Sequence, residues 1–219
     1  MILSRSDEFS SFRWNENAGR YISNTGRFIS ADNVRIAYEG AITNSRARIR
    51  ALSESLQNSG ISLADWQTQM IDEIRIVNNM GAALARGGWA EMSQSDWGFV
   101  GSVTRRQYDF LSQFALDIEN GLPLDGRFLQ RADLYGSSYR GTLNDMKRRM
   151  ETSRGRDEER RVLGVADHCQ SAGGLTGCVE LAGQGWQPIN SLPRIGTSPC
   201  RTNCQCHFEF RTTGGESTE

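Results

Sequence analysis

All five cysteines of this 219-residue chain, Cys169, Cys178, Cys200, Cys204 and Cys206, lie in its last quarter, flanked by its only two histidines, His168 and His207. Thiolate sulfur and imidazole nitrogen are the ligands that zinc selects, so their concentration in one segment reads first as a metal-binding lobe. Eight residues part Cys169 from Cys178, more than the spacer of about two to four in a zinc knuckle. That loop, Ser171-Ala172-Gly173-Gly174-Leu175-Thr176-Gly177, has the glycines that folding back requires. The second half is denser: Cys200, Cys204 and Cys206 bring three thiols within seven residues.

From Asn203 to Arg211 the chain alternates, and in a strand Cys204, Cys206, Phe208 and Phe210 would share one face, with Gln205, His207, Glu209 and Arg211 on the other. The thiols then face inward with the phenylalanines, and His207 is a poor ligand candidate. The expected site is a closed set of four thiolates drawn from Cys169, Cys178, Cys200, Cys204 and Cys206, holding zinc in a structural role. It would staple the loop from Cys178 to Cys200, rich in glycine and proline. Buried or redox-prone free thiols are the alternative.

Catalysis finds little support. His168 adjoins Cys169, but neighbours in a strand point apart, and no Asn or Asp is placed to orient the imidazole. The lobe has no H-E-x-x-H helix, phosphate loop or Gly-x-Ser-x-Gly elbow. No catalytic residue, organic cofactor or small-molecule substrate is therefore expected.

The formal net charge of -1 and mean hydropathy of -0.53 exclude a global basic field for nucleic acid or an anionic membrane. No run approaches the roughly 20 apolar residues of a membrane span, and MILSRSDEFSSFRW lacks the apolar core of a secretory signal. A cytosolic chain is expected, in which clustered cysteines serve as ligands or free thiols rather than disulfides. Lys147 is the lone lysine. The arginine excess fits bidentate interface contacts or biased codon composition.

The elements that must carry the lobe come before it. Residues 1–31 read as a polar arm, with Phe12 and Trp14 as isolated anchors, followed by a hairpin whose strands flank Asn24-Thr25-Gly26. Over 32–157 apolar residues recur at three and four. A helix is predicted over 32–57, stopped by Asn58-Ser59-Gly60. Another starts at the acidic capping box Ser62/Asp65 and ends at Gly87-Gly88, and a third covers about 95–120. A fourth segment spans 128–150. The run KRRMETSRGRDEERR, 147–161, reads as a solvated helix linking this region to the lobe. Residues 158–211 form the lobe and 212–219 a disordered tail. The fold class is mainly α, a helical N-terminal region with a small α+β cysteine-rich C-terminal lobe.

The order Leu163-Gly164, Ala166, His168-Cys169, Gly185-Trp186-Gln187-Pro188, Leu192-Pro193 and Pro199-Cys200-Arg201-Thr202-Asn203-Cys204-Gln205-Cys206 resembles the C-terminal motif of phage head-morphogenesis proteins. These are the Mu F-like minor head proteins of tailed bacteriophages. The segment from Arg20-Tyr21 to Phe28-Ile29 is similar to a short element near the start of such proteins. The likeness covers about residues 158–211, and the helical front only in architecture. Two departures stand out: a glycine insertion stretches the first pair, and Gln205 replaces the usual arginine.

The resemblance implies a low-copy protein of the virion, present in host cytoplasm during assembly. Its partners would be portal or capsid proteins, with packaged DNA as a further one, and its role procapsid assembly, DNA packaging or delivery. Some relatives carry a toxin or enzyme domain after the cysteine motif; here His207 to Glu219 alone follow, and a non-enzyme is expected. The rival reading is a zinc-ribbon-like nucleic-acid binder in which Arg194, Arg201 and Arg211 meet phosphate beside the metal.

Overall fold

The apolar spacing of residues 32–120 is realised as three long helices, α1 (Ala31–Gln57), α2 (Leu63–Arg86) and α3 (Gln94–Glu119), in a computed structural model of the chain. The structure describes residues 12–15, 17–18, 20–23, 25–164 and 168–213. Most of the expected arm (1–11), Asn24 of the hairpin turn, Ala166 and Asp167 of the lobe, and the GGESTE tail lie outside the described residues. Local chemistry sets the helix ends. The hydroxyls of Ser30, Ser62 and Ser93 accept the backbone N–H three residues on, and Ser93 with Asp96 forms the full reciprocal capping box. Gly87, at φ +88°, closes α2 in the left-handed conformation.

The chain divides into two units, Met1–Tyr139 and Arg140–Glu219. The core of the first is aromatic. Trp66, fully buried, packs edge-on against Phe114 at 5.6 Å and lies 5.9 Å from Phe128, while its indole N–H donates to Ser53 Oγ at 3.1 Å. Rings on stripes of helical spacing thus fill the interior, and the polar tips of Trp66 and Tyr38 each have a partner. The hairpin also forms, as β2 (Arg20–Ser23) and β3 (Phe28–Ile29). It gains a third strand, β1 (Phe12–Asn15), paired antiparallel with β2. Phe12 and Trp14 are therefore strand residues rather than anchors in an arm. Phe12 stands edge-on to Tyr38 of α1 at 5.8 Å, which docks the sheet on the helix.

Glycines inside the helices divide into two kinds. A Cβ at Gly81 would lie 2.7 Å from the Tyr139 carbonyl oxygen, so Gly81 is a close-approach site. Gly98 and Gly101 are exposed, and a Cβ at either meets nothing within 4 Å. Alanine at Gly98 or Gly101 is expected to raise stability by about 0.5–1 kcal/mol each. At Gly81 the overpacking cost of about 1–3 kcal/mol outweighs the gain in helix propensity. Urea midpoints that move in opposite directions for the two kinds of variant would bear this out; a stabilised Gly81→Ala would refute it.

The predicted fourth helix is two: α4 (Gly126–Gly136) and α5 (Tyr139–Ser153), parted at Ser137-Ser138. Ser138 Oγ donates to the Tyr135 carbonyl at 2.8 Å and takes a hydrogen bond from Asn78 Nδ2 at 3.0 Å. A hydroxyl bonded back to the preceding turn competes with the helical ladder, and a buried partner fixes the break.

In the second unit, α5 is followed by β4 (Glu158–Val162), α6 (Cys178–Gly183), β5 (Gln187–Pro188) and β6 (His207–Arg211). The strands form an antiparallel sheet in the order β5-β4-β6. The charged run 147–161 is thus not a solvated linker helix. It leaves α5 at Ser153, turns through Gly155 at φ +82°, and becomes the central strand. Alternation there turns Glu159 and Arg161 inward, where both are buried. The protein is mainly α, with a small α+β cysteine-bearing lobe. Among the described residues no helix is long and apolar enough to cross a membrane.

Candidate metal centre

The site is assembled from two short loops and one strand. Along the segment leading into β6, Cys204, Cys206, Phe208 and Phe210 are buried while Gln205 and His207 are exposed, which is the alternation that the sequence predicts. Between Cys200 and Cys204 the chain makes one 3-10 turn, Arg201–Asn203, with the Cys204 N–H donating to the Arg201 carbonyl at 3.1 Å. This tight turn points both thiols to one side.

The other loop folds back at Gly173-Gly174, both at positive φ, where Ala172 and Leu175 exchange two backbone hydrogen bonds of 3.0 Å. At Gly177 the returning strand passes so close that a Cβ would lie 2.4 Å from the carbonyl carbon of Gln170. The result sets Cys178 beside Cys169, and the Cys178 N–H donates to Cys169 Sγ at 3.3 Å.

All five thiols meet. Cys169 Sγ lies 3.3 Å from Cys200 Sγ, and Cys178 Sγ lies 3.5 Å from both Cys200 and Cys204. Two triads, Cys169/Cys178/Cys200 and Cys178/Cys204/Cys206, each fit within 4.8 Å, and Cys178 belongs to both. Zinc–sulfur bonds of about 2.3 Å in a tetrahedron separate the sulfurs by about 3.8 Å. The cluster, around a cavity of about 20 Å³, could therefore hold a metal ion with small side-chain adjustments. His168 lines this cavity and is exposed, whereas His207 does not line it.

The electrostatics show what the thiols require. Burial works against a Cys204 thiolate, but hydrogen bonds from the Cys206 N–H and from the thiols of Cys178, Cys200 and Cys206 outweigh it and hold its pKa below the ordinary value. Cys200 is pushed up by burial and by sharing its proton with Cys169 and Cys178. Cys206 is pushed up to about 12 by burial, with the charge on Cys204 adding to the effect. Without a cation the cluster favours charge at Cys204 at its neighbours' expense. Several thiolates at this separation need a positive ion among them, and a divalent metal supplies it.

A supporting layer of charged side chains lies beneath, and the helical reading of 147–161 concealed it. Arg148 of α5 and Glu159 of β4 form a buried ion pair at 2.7 Å, and Glu159 also accepts the Leu192 N–H at 3.1 Å. Arg161 reaches Cys178, Ser198 and the carbonyls of Pro193 and Arg194. The signal for this strand was the breaker Gly155, followed by the short charged run Arg156 to Arg161 that leads into Val162-Leu163. Of the arginines that a phosphate-binding reading invokes, Arg194 is paired with Asp145 and Arg211 with Glu158. Compared with known proteins, the chain matches no family model, no curated protein and no solved structure.

Proposed function

We propose that the chain is a non-enzymatic minor structural protein of a tailed-phage head, in which zinc bound by four cysteines staples the C-terminal lobe. The helical unit would carry the contacts with portal or capsid proteins during procapsid assembly, DNA packaging or delivery. The observation that carries the zinc centre is the convergence of five thiols from segments far apart in sequence, Cys169, Cys178, Cys200 and Cys204 at neighbouring sulfur separations of 3.3–3.5 Å and Cys206 within 4.8 Å of Cys178 and Cys204. Four thiolates fill a tetrahedral zinc shell and leave no open position for substrate or activated water, the mark of a structural site. The head assignment is supported by the order of the motif around these cysteines. Its loops now have a structural account, since Gly177 and the 3-10 turn are what close the cluster.

The nucleic-acid reading is less favoured, because Arg194 and Arg211 already hold carboxylates. Two measurements test the proposal. Protein purified under reducing conditions is expected to contain about one zinc per chain, with four thiols protected until a chelator is added. A metal-free protein with five freely reactive thiols would overturn the zinc centre. Heads and procapsids purified from phage-infected cells are expected to contain the chain in low copy, and its absence from both would overturn the head assignment.

A further inference from the structure

We propose that Arg161 is the charge partner of the cysteine centre: its guanidinium, buried beside Cys178 and paired with no carboxylate among the described residues, offsets part of the thiolate charge and sets how tightly the metal is held. The inference rests on the metal-centre reading above.

Arg161 is only 2% exposed, and among the described residues no carboxylate pairs with it. Its hydrogen-bond partners are neutral oxygens and one sulfur, and the Phe208 ring centre lies 5.6 Å from its guanidinium carbon. Nη1 donates to Ser198 Oγ at 3.0 Å and to Cys178 Sγ at 3.6 Å, while Nη2 donates to the carbonyls of Pro193 at 2.6 Å and Arg194 at 3.3 Å. The buried arginine beside it contrasts: Arg148 has Glu159. A buried cation with no anion is strongly unfavourable, and folded proteins seldom keep one. A divalent metal with four thiolates carries a net charge of about minus two, and hydrogen bonds to its sulfurs spread that charge. The two imbalances offset each other in part across the contact between Arg161 and Cys178.

The fork of the guanidinium matters as well as its charge. One nitrogen serves the sulfur and Ser198, the other the Pro193–Arg194 backbone, so a single planar group ties Cys178 to the chain leading into Cys200. Arg161 is thus a positioning residue, and Cys178 belongs to the ligand set whichever thiol is the fifth.

The test uses the full chain as wild type, Arg161→Gln and Arg161→Lys, loaded with Co²⁺ or Zn²⁺. Two quantities are read: zinc affinity against a chromophoric chelator, and the position of the sulfur-to-cobalt charge-transfer band. The band reports directly on charge at sulfur, because removing a nearby cation raises the sulfur lone pairs and moves the band to longer wavelength. Arg161→Gln is expected to weaken zinc binding about 10- to 100-fold and to shift the band, with Arg161→Lys intermediate in both. Wild-type affinity with an unshifted band in Arg161→Gln overturns the proposal. If the glutamine chain does not fold, the lysine chain decides: it is expected to fold and show a shifted band, and an unshifted one overturns the proposal. A wild-type chain that takes up neither metal overturns the metal centre itself, before any variant is compared.

Discussion

Replacing Cys178 with serine is expected to abolish tight metal binding and to lower the unfolding temperature of the C-terminal unit more than any other single cysteine change. The reason is position. Cys178 is common to both triads, lies 3.5 Å from the sulfurs of Cys200 and Cys204, and is the thiol that Arg161 reaches. A serine hydroxyl at neutral pH stays protonated and supplies no soft ligand, so the shell falls to three thiolates whichever set is used. Metal present at a thousand times its dissociation constant stabilises the folded state by about 4 kcal/mol. For a unit of this size, loss of that amount lowers the unfolding temperature by roughly 15–30 °C.

Cys200 and Cys204, both 3.5 Å from Cys178 Sγ, form a common set of three with it, to which either Cys169 or Cys206, one from each triad, adds the fourth ligand of a tetrahedral site. Cys169→Ser and Cys206→Ser are therefore expected to differ, with one keeping the metal and the other losing it. Metal analysis and calorimetry on the three variants read this out together. A Cys178→Ser protein that holds metal like the wild type would show that the cluster is not organised around that residue.

Much of this site was legible in the sequence because the physics that builds it is local. Alternation of apolar and polar residues from Cys204 to Phe210 needs only the two-residue period of a strand to set the thiols inward and His207 outward. Helix stops such as Gly87, and caps such as Ser62, are likewise decided within a few residues. What local pattern could not give is the fate of charges. In 147–161 blocks of bases and acids are interleaved, which suits a solvated helix and an ion-paired strand equally well.

The choice between them depends on partners far along the chain. Leu192 supplies an N–H to Glu159, and Ser198 and Pro193 supply oxygens to Arg161. The break of the fourth helix at Ser137-Ser138 has the same origin, since Asn78, which holds Ser138, is remote in sequence. Likewise β1 was unreadable because Phe12 finds its ring partners in Tyr21 and Tyr38 rather than in its neighbours.

Those buried charges lead to the second large expected effect. Glu159→Ala should destabilise the C-terminal unit by about 3–5 kcal/mol, because it leaves the Arg148 guanidinium buried without its anion. The exposures make this a core pair: the side chains are 7% and 0% exposed, and Arg148 lies 4.1 Å above the Phe208 ring. The Leu192 N–H loses its acceptor in the same change. The pair itself need not contribute much net stability, since desolvating two charges offsets most of their attraction.

The double variant Arg148→Met/Glu159→Leu separates these ideas. With Phe208 as an apolar wall, it is expected to regain most of the stability lost by either single change. A deficit of about 1–3 kcal/mol should persist from the unpaired Leu192 amide and carbonyl. Hydrogen exchange at the amides of β4 and β6, measured on the full chain with metal present, reads the local free energy. If the double variant is no more stable than Glu159→Ala, the ion pair does more than satisfy its own burial. Its attraction would then belong, with that between Arg161 and Cys178, to what holds the cysteine loops against the sheet.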